Sequence, residues 1–183
     1  MKRFMAMVLA ALMLTTAVGA FAAAANEPVT PMDSAIGAFD TQDLEGNAVS
    51  SNVFAESKLT LVNVWGTCCP PCKAEIPDLG KLDKEIEDFQ VLGILIDAGV
   101  KDFPDQSYMD LGKKILSDSG AEYTSILPDQ VLSDKLIANI YAVPTSFFVD
   151  EKGQMVGDEI VGSMSYDDWK ATINEKLAEV SAG

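Results

Sequence analysis

The spacing of apolar residues along this chain changes several times, and each change marks an element. Leu59-Thr60-Leu61-Val62-Asn63-Val64-Trp65 is a short, nearly continuous apolar run, suited to a strand buried on both faces. Ile76, Leu79, Leu82, Ile86 and Phe89 then recur every three or four residues. That spacing predicts one face of a helix over residues 73–89, kinked near its start by Pro77. Val91 to Ile96 is a second buried strand. Ser107 to Leu116 is helical in pattern and is expected to end near Gly120. Tyr123 to Leu127 reads as a short strand and Leu132 to Tyr141 as a short helix. Thr145 to Val149 and Met155 to Val161 form two strands joined by the turn Asp150-Glu151-Lys152-Gly153. Ser165 is expected to cap a final helix, with Asp167 and Asp168 in its first turn and Trp169, Ile173 and Leu177 as its apolar stripe. Upstream, Asp43-Leu44-Glu45-Gly46-Asn47 reads as a turn. The order β-α-β-α-β-α-β-β-α predicts an α/β domain, a central sheet with helices on its faces.

The pattern of the first 25 residues is different. Lys2 and Arg3 precede the uncharged, mostly apolar stretch Phe4 to Ala17, and small residues follow, with Ala-x-Ala options ending at Ala22 and Ala25. This three-part arrangement predicts a secretory signal peptide over 1–25. An uncleaved anchor is the alternative, since Phe4 to Ala25 is uncharged throughout and long enough to span a bilayer. Either way the domain is expected to work outside the cytoplasm, in the periplasm or an equivalent compartment, where cysteines can be oxidised. Residues 26–35, with two prolines, read as a linker, and 36–183 as one domain.

Composition removes several chemistries. The 183 residues hold 13 Lys+Arg against 28 Asp+Glu, no His, and a net charge of −15; Arg3 is the sole arginine. Lack of His removes Ser-His-Asp and Cys-His pairs and histidine metal ligands. Without Arg beyond the leader there is no guanidinium clamp for phosphate or carboxylate. So acidic a chain repels nucleic acid and anionic membrane surfaces. Carboxylate or cysteine chemistry, or binding, remains.

All three cysteines fall between Cys68 and Cys72, at the junction of the first strand and the first helix. In Cys69-Pro70-Pro71-Cys72, the first sulfur would lie at the helix start, where free N–H groups and the positive end of the dipole favour a thiolate. Cys72, one turn further in, can swing back to close a disulfide. Pro70 and Pro71 fit a first turn that does not need their missing N–H groups. A structural disulfide ordinarily closes a longer loop, and a zinc site would need a second ligand pair that this chain lacks.

The stretch Asn63-Val64-Trp65-Gly66-Thr67-Cys68-Cys69-Pro70-Pro71-Cys72-Lys73-Ala74-Glu75-Ile76-Pro77 resembles the active-site segment of the TlpA/ResA-type thiol–disulfide oxidoreductases, extracytoplasmic members of the thioredoxin-fold superfamily. A second segment, Tyr141-Ala142-Val143-Pro144-Thr145-Ser146-Phe147-Phe148-Val149-Asp150, and the entry Ala38-Phe39 with its Leu44-Glu45-Gly46 turn extend the similarity from about Ile36 to Val180. The resemblance implies a thioredoxin fold with an N-terminal extension and an inserted helix-containing segment in the middle. It implies Cys69 as attacking nucleophile, Cys72 as resolving cysteine, and Pro144 as a cis-proline that brings the Val143 backbone beside them to bind an extended substrate. Trp65 is expected beneath the loop as part of the substrate side. Glu75, one turn beyond Cys72, is implied as the proton carrier, since Asn63 cannot titrate. No cofactor is expected beyond the Cys69–Cys72 disulfide.

One departure is Cys68, where the family usually has Trp. It can be a bystander or can divert the disulfide. Its CxxxC spacing with Cys72 resembles copper-delivery proteins of the same fold, so a Cu(I)-binding module using Cys68, Cys69 and Cys72 is the alternative expectation, although those proteins also use a histidine absent here. A thiol peroxidase is the second alternative, and it would need an activating arginine that the chain lacks beyond Arg3. The leading expectation is a disulfide reductase for protein substrates, re-reduced by a membrane electron donor and acting as a monomer; reduction of apocytochrome c thiols is one family role.

Overall fold

The computed structural model describes residues 35–182, so the expected signal peptide and all but the last residue of the linker lie outside the described residues. Among the described residues no helix is long and apolar enough to cross a membrane.

The chain enters through a small hairpin, β1 (Asp40–Gln42) and β2 (Ala48–Ser50), followed by a 3-10 turn at Ser51–Glu56. The turn read from 43–47 closes this hairpin. Asp43 Oδ1 accepts the amides of Glu45 at 3.0 Å and Asn47 at 2.7 Å. A five-stranded sheet forms the centre, in the order β7 (Ser125–Ile126), β4 (Phe89–Leu95), β3 (Leu59–Trp65), β8 (Thr145–Asp150), β9 (Ile160–Val161). β3, β4 and β7 run parallel, and β8 and β9 are antiparallel additions on the other side.

Alternation along the strands divides the core into two layers. Leu59, Leu61 and Trp65 of β3 and Val91 and Leu95 of β4 face α1 (Pro70–Glu85), α2 (Gln106–Asp118) and α4 (Tyr166–Ala182). Val62, Val64, Leu92, Ile94, Phe147 and Val149 face the opposite layer, with Phe39, Phe54 and the short α3 (Gln130–Lys135). Between β4 and β7 lies the inserted segment, a two-stranded hairpin of β5 (Gly99–Val100) and β6 (Phe103–Pro104) followed by α2. This is the thioredoxin-like α/β fold, a mixed sheet flanked by helices.

Several boundaries differ from the sequence pattern. α1 begins at Pro70 rather than residue 73 and stops at Glu85, and Phe89 is instead the first residue of β4, paired with Leu59. A buried strand residue after a tight turn happened to extend the three-four spacing. α1 continues through Pro77. The segment expected as a helix over 132–141 starts earlier, because Asp129 caps it through the Leu132 amide at 2.8 Å; it ends at Lys135 and leaves Tyr141 exposed. Of the expected strand 155–161 only its last two residues pair continuously, with Met155 making one bridge to Val149.

Gly80 permits the closest approach of α1 to the chain after α2. A Cβ there would stand 2.8 Å from Ala121 Cα and 2.9 Å from its Cβ. Gly80→Ala is therefore expected to cost about 1–3 kcal/mol in urea unfolding, despite alanine's better helix propensity. A stabilised variant would contradict the packing.

Candidate active site

The parallel strands end at one edge of the sheet, where β8 begins: Trp65 lies opposite Leu95, Ile94 opposite Ile126 and Val64 opposite Thr145. The loops after β3 and β4 and the loop before β8 therefore emerge together. They carry the cysteines, Asp97 and the Val143–Pro144 pair.

Cys69 is the N-cap of α1, with Pro70 and Pro71 in the first two helical positions. It is joined to Cys72 by a disulfide, as the spacing suggested. Cys69 Sγ accepts the Cys72 amide at 3.2 Å. Cys69 keeps 8% of its surface exposed and Cys72 none, so of the pair a partner can reach only the first cysteine. Val143–Pro144 is a cis peptide, and the Val143 carbonyl oxygen lies 3.5 Å from Cys69 Sγ. Residues 74 positions apart are thus brought into contact.

Glu75 shares the buried face of α1 with Cys72 and is 2% exposed. Its Oε1 accepts Asn63 Nδ2 at 3.0 Å and its Oε2 accepts Trp169 Nε1 at 3.2 Å, with a further backbone donor at Met164. Burial pushes its carboxyl above the ordinary glutamate range, and these donors oppose the rise without cancelling it. Asn63 also donates to Ser146 Oγ at 3.0 Å. Ser146 thus holds the Asn63 amide, and Asn63, Trp169 and the Met164 backbone are the donors that let this largely apolar layer hold a carboxylate.

Trp65 requires a correction. It has no exposed surface, and its indole N–H donates to Ser125 Oγ at 3.0 Å. It supports the loop from beneath and offers nothing to a substrate. Cys68 is exposed and free, its side chain outside the disulfide. Among the described residues no group of three or more His, Cys, Asp or Glu side chains is placed to hold a metal ion.

Three contributors escaped the sequence reading. Trp169 was legible only as an apolar residue of the last helix; its bond to Glu75 spans 94 positions. Ser146 lay unnoticed in the strand after Pro144. Asp97 lies two residues beyond the end of β4, and its Oδ2 accepts Thr67 N at 2.7 Å, Thr67 Oγ1 at 2.8 Å and Cys68 N at 3.3 Å. An acid at the end of the strand parallel to β3 was the available signal, since such a position must lie near the loop that follows β3.

A dithiol/disulfide pair at a helix N-terminus, faced by a cis-proline at the edge of a thioredoxin-like sheet, defines a thiol–disulfide oxidoreductase. The chain belongs to the redoxin family, whose model matches residues 24–172. It is 31% identical over 142 residues to the thiol:disulfide interchange protein DsbE of Haemophilus influenzae, covering 76% of this chain and 72% of that protein. It is 27% identical to the thiol-disulfide oxidoreductase ResA of Bacillus thuringiensis, covering 78% and 75%. Among solved structures, a thioredoxin family thiol:disulfide interchange protein from Chlorobium tepidum superposes with a TM-score of 0.63 at 24% identity, covering 79% of this chain and 96% of that one.

Proposed function

We propose that this protein is an extracytoplasmic reductase of disulfides in other proteins, with Cys69 as nucleophile, Cys72 as resolving thiol and Glu75 as proton acceptor. One observation carries the direction of the reaction. Cys69 Sγ is met by one amide, that of Cys72, while the Val143 carbonyl turns the negative end of its dipole toward the sulfur from 3.5 Å. A sparsely stabilised thiolate makes a weak oxidant and a good reductant. The leader pattern of residues 1–25 supports the compartment.

In the proposed cycle, Cys69 thiolate attacks one sulfur of a target disulfide. The target S–S bond breaks, one target thiolate leaves, and Cys69 is held in a mixed disulfide. Cys72 loses its proton toward Glu75 and attacks Cys69 Sγ. The second target thiolate leaves, and Cys69–Cys72 closes. Two electrons have passed from the pair to the target; the Cys72 proton rests on Glu75, and the two target thiolates take up protons from Glu75 and solvent. The Val143 backbone is positioned to pair with the extended target segment. A membrane dithiol donor then restores the reduced pair.

The test is a Cys72→Ser variant of the full chain, expressed with its leader. It is expected to accumulate mixed disulfides through Cys69 in the extracytoplasmic fraction, with apocytochrome c cysteine pairs among the adducts. Absence of adducts, together with a wild-type protein unable to reduce insulin disulfides, would overturn the reading.

A further inference from the structure

The loop that delivers Cys69 is held by a carboxylate. Asp97 Oδ2 takes both amides of Thr67 and Cys68 as well as the Thr67 hydroxyl, at 2.7, 3.3 and 2.8 Å. Its other oxygen is buried without a partner, so the group is committed to this loop. Gly66 makes room for it: a Cβ at that position would stand 3.3 Å from Asp97 Oδ2. The next amide, that of Cys69, donates back to Gly66 at 3.2 Å. Pro70 and Pro71 have no N–H. Every backbone donor from 67 to 71 is therefore either bound elsewhere or absent, and the Cys72 amide is left to the Cys69 sulfur.

We propose that Asp97 is a positioning residue that withholds the Thr67 and Cys68 amides from Cys69, and so sets the pair toward reduction of its targets. This deepens the reductase reading and rests on it for direction. Backbone N–H groups around a thiolate stabilise it, and a stabilised thiolate favours the dithiol form over the disulfide. A carboxylate that orients those amides away from the sulfur removes that stabilisation. The same bonds fix the path of the chain into the N-cap, so Asp97 acts on the chemistry through the loop and touches no substrate.

The experiment equilibrates full-length wild type, Asp97→Ala, Asp97→Asn and Thr67→Val with dithiothreitol and its oxidised form. Asp97→Ala frees both amides. Its exchange equilibrium is expected to move about tenfold toward the dithiol protein, about 30 mV for a two-electron couple. Alkylation of Cys69 at pH 7 should speed up several-fold. Asp97→Asn keeps an acceptor oxygen and should fall between Asp97→Ala and wild type. Thr67→Val loses the hydroxyl bond alone and should lower unfolding stability without moving the equilibrium. If Asp97→Ala does not fold, the Asp97→Asn shift carries the test. A wild-type equilibrium and alkylation rate in every folded Asp97 variant would overturn the proposal. Because neither readout needs a protein target, failure of the wild type to reduce insulin would sink the reductase reading alone.

Discussion

Cys69→Ser is expected to lower kcat/KM for disulfide reduction by roughly a thousandfold or more, the scale seen when a covalent nucleophile is removed. The reason is geometric as well as chemical. Cys69 is the cysteine of the pair that retains exposed surface, whereas Cys72 is fully buried. Cys72 therefore cannot take over attack on a protein target. Cys68→Ser is the informative control. Its side chain is exposed and outside the disulfide, and the contact its backbone makes, to Asp97, survives the substitution. Its rate should stay near wild type. Insulin turbidity and a dithiol-coupled assay read both variants. Substantial activity in Cys69→Ser, or loss in Cys68→Ser, would move the nucleophile to Cys68 and reverse the assignment.

Glu75→Gln is expected to slow resolution of the mixed disulfide by about a hundredfold near pH 7, the lower end of what a positioned acid–base group contributes. Formation of the mixed disulfide should be unchanged. Raising the pH should restore part of the rate, because Cys72 then loses its proton to solvent. The variant should fold. Asn63 Oδ1 is buried without a partner, so turning the Asn63 amide over gives the new Gln amide an acceptor while Trp169 still donates to the Gln oxygen. Stopped-flow measurement of the two steps tests this, and equal resolution rates across pH would remove Glu75 from the mechanism.

The same substitution has a signed effect on stability. Burial raises the Glu75 carboxyl above its ordinary range, so the folded protein holds this proton more tightly than the unfolded chain. Between the unfolded value, about 4.3, and the raised folded one, the native state binds more protons. The Glu75 contribution to stability is therefore full below that window, falls as pH rises through it, and is level above. Glu75→Gln should abolish this fall and be more stable than wild type at neutral pH. Urea midpoints collected from pH 4 to 8 test the sign.

Much of the site was legible because its chemistry is local. Two cysteines three positions apart, two prolines that fit a first helical turn, and a strand pattern just before them place the disulfide at a helix start. Helix spacing put Glu75 one turn beyond Cys72, and its role as proton carrier came from the resemblance to the family. The second motif could be matched from sequence, but its contact with Cys69 could not be measured there, because 74 positions separate the partners. Trp65 shows the limit of reading roles from motif membership: its indole is fully buried, as a residue beneath the loop should be, and so has no surface for the substrate contact also expected of it.

By itself the sequence determined the β-α-β frame, the redox pair and the exclusion of histidine and arginine chemistry, since these depend on residue type and short spacing. Only the tertiary structure decided the environment of each group. It buried Glu75 between Asn63 and Trp169, set the Val143 carbonyl against the sulfur, and turned the loop amides toward Asp97. The physical reason is that solvation and hydrogen bonding at a site come from whichever strands and helices converge on it, and parallel strands bring together residues that lie far apart along the chain.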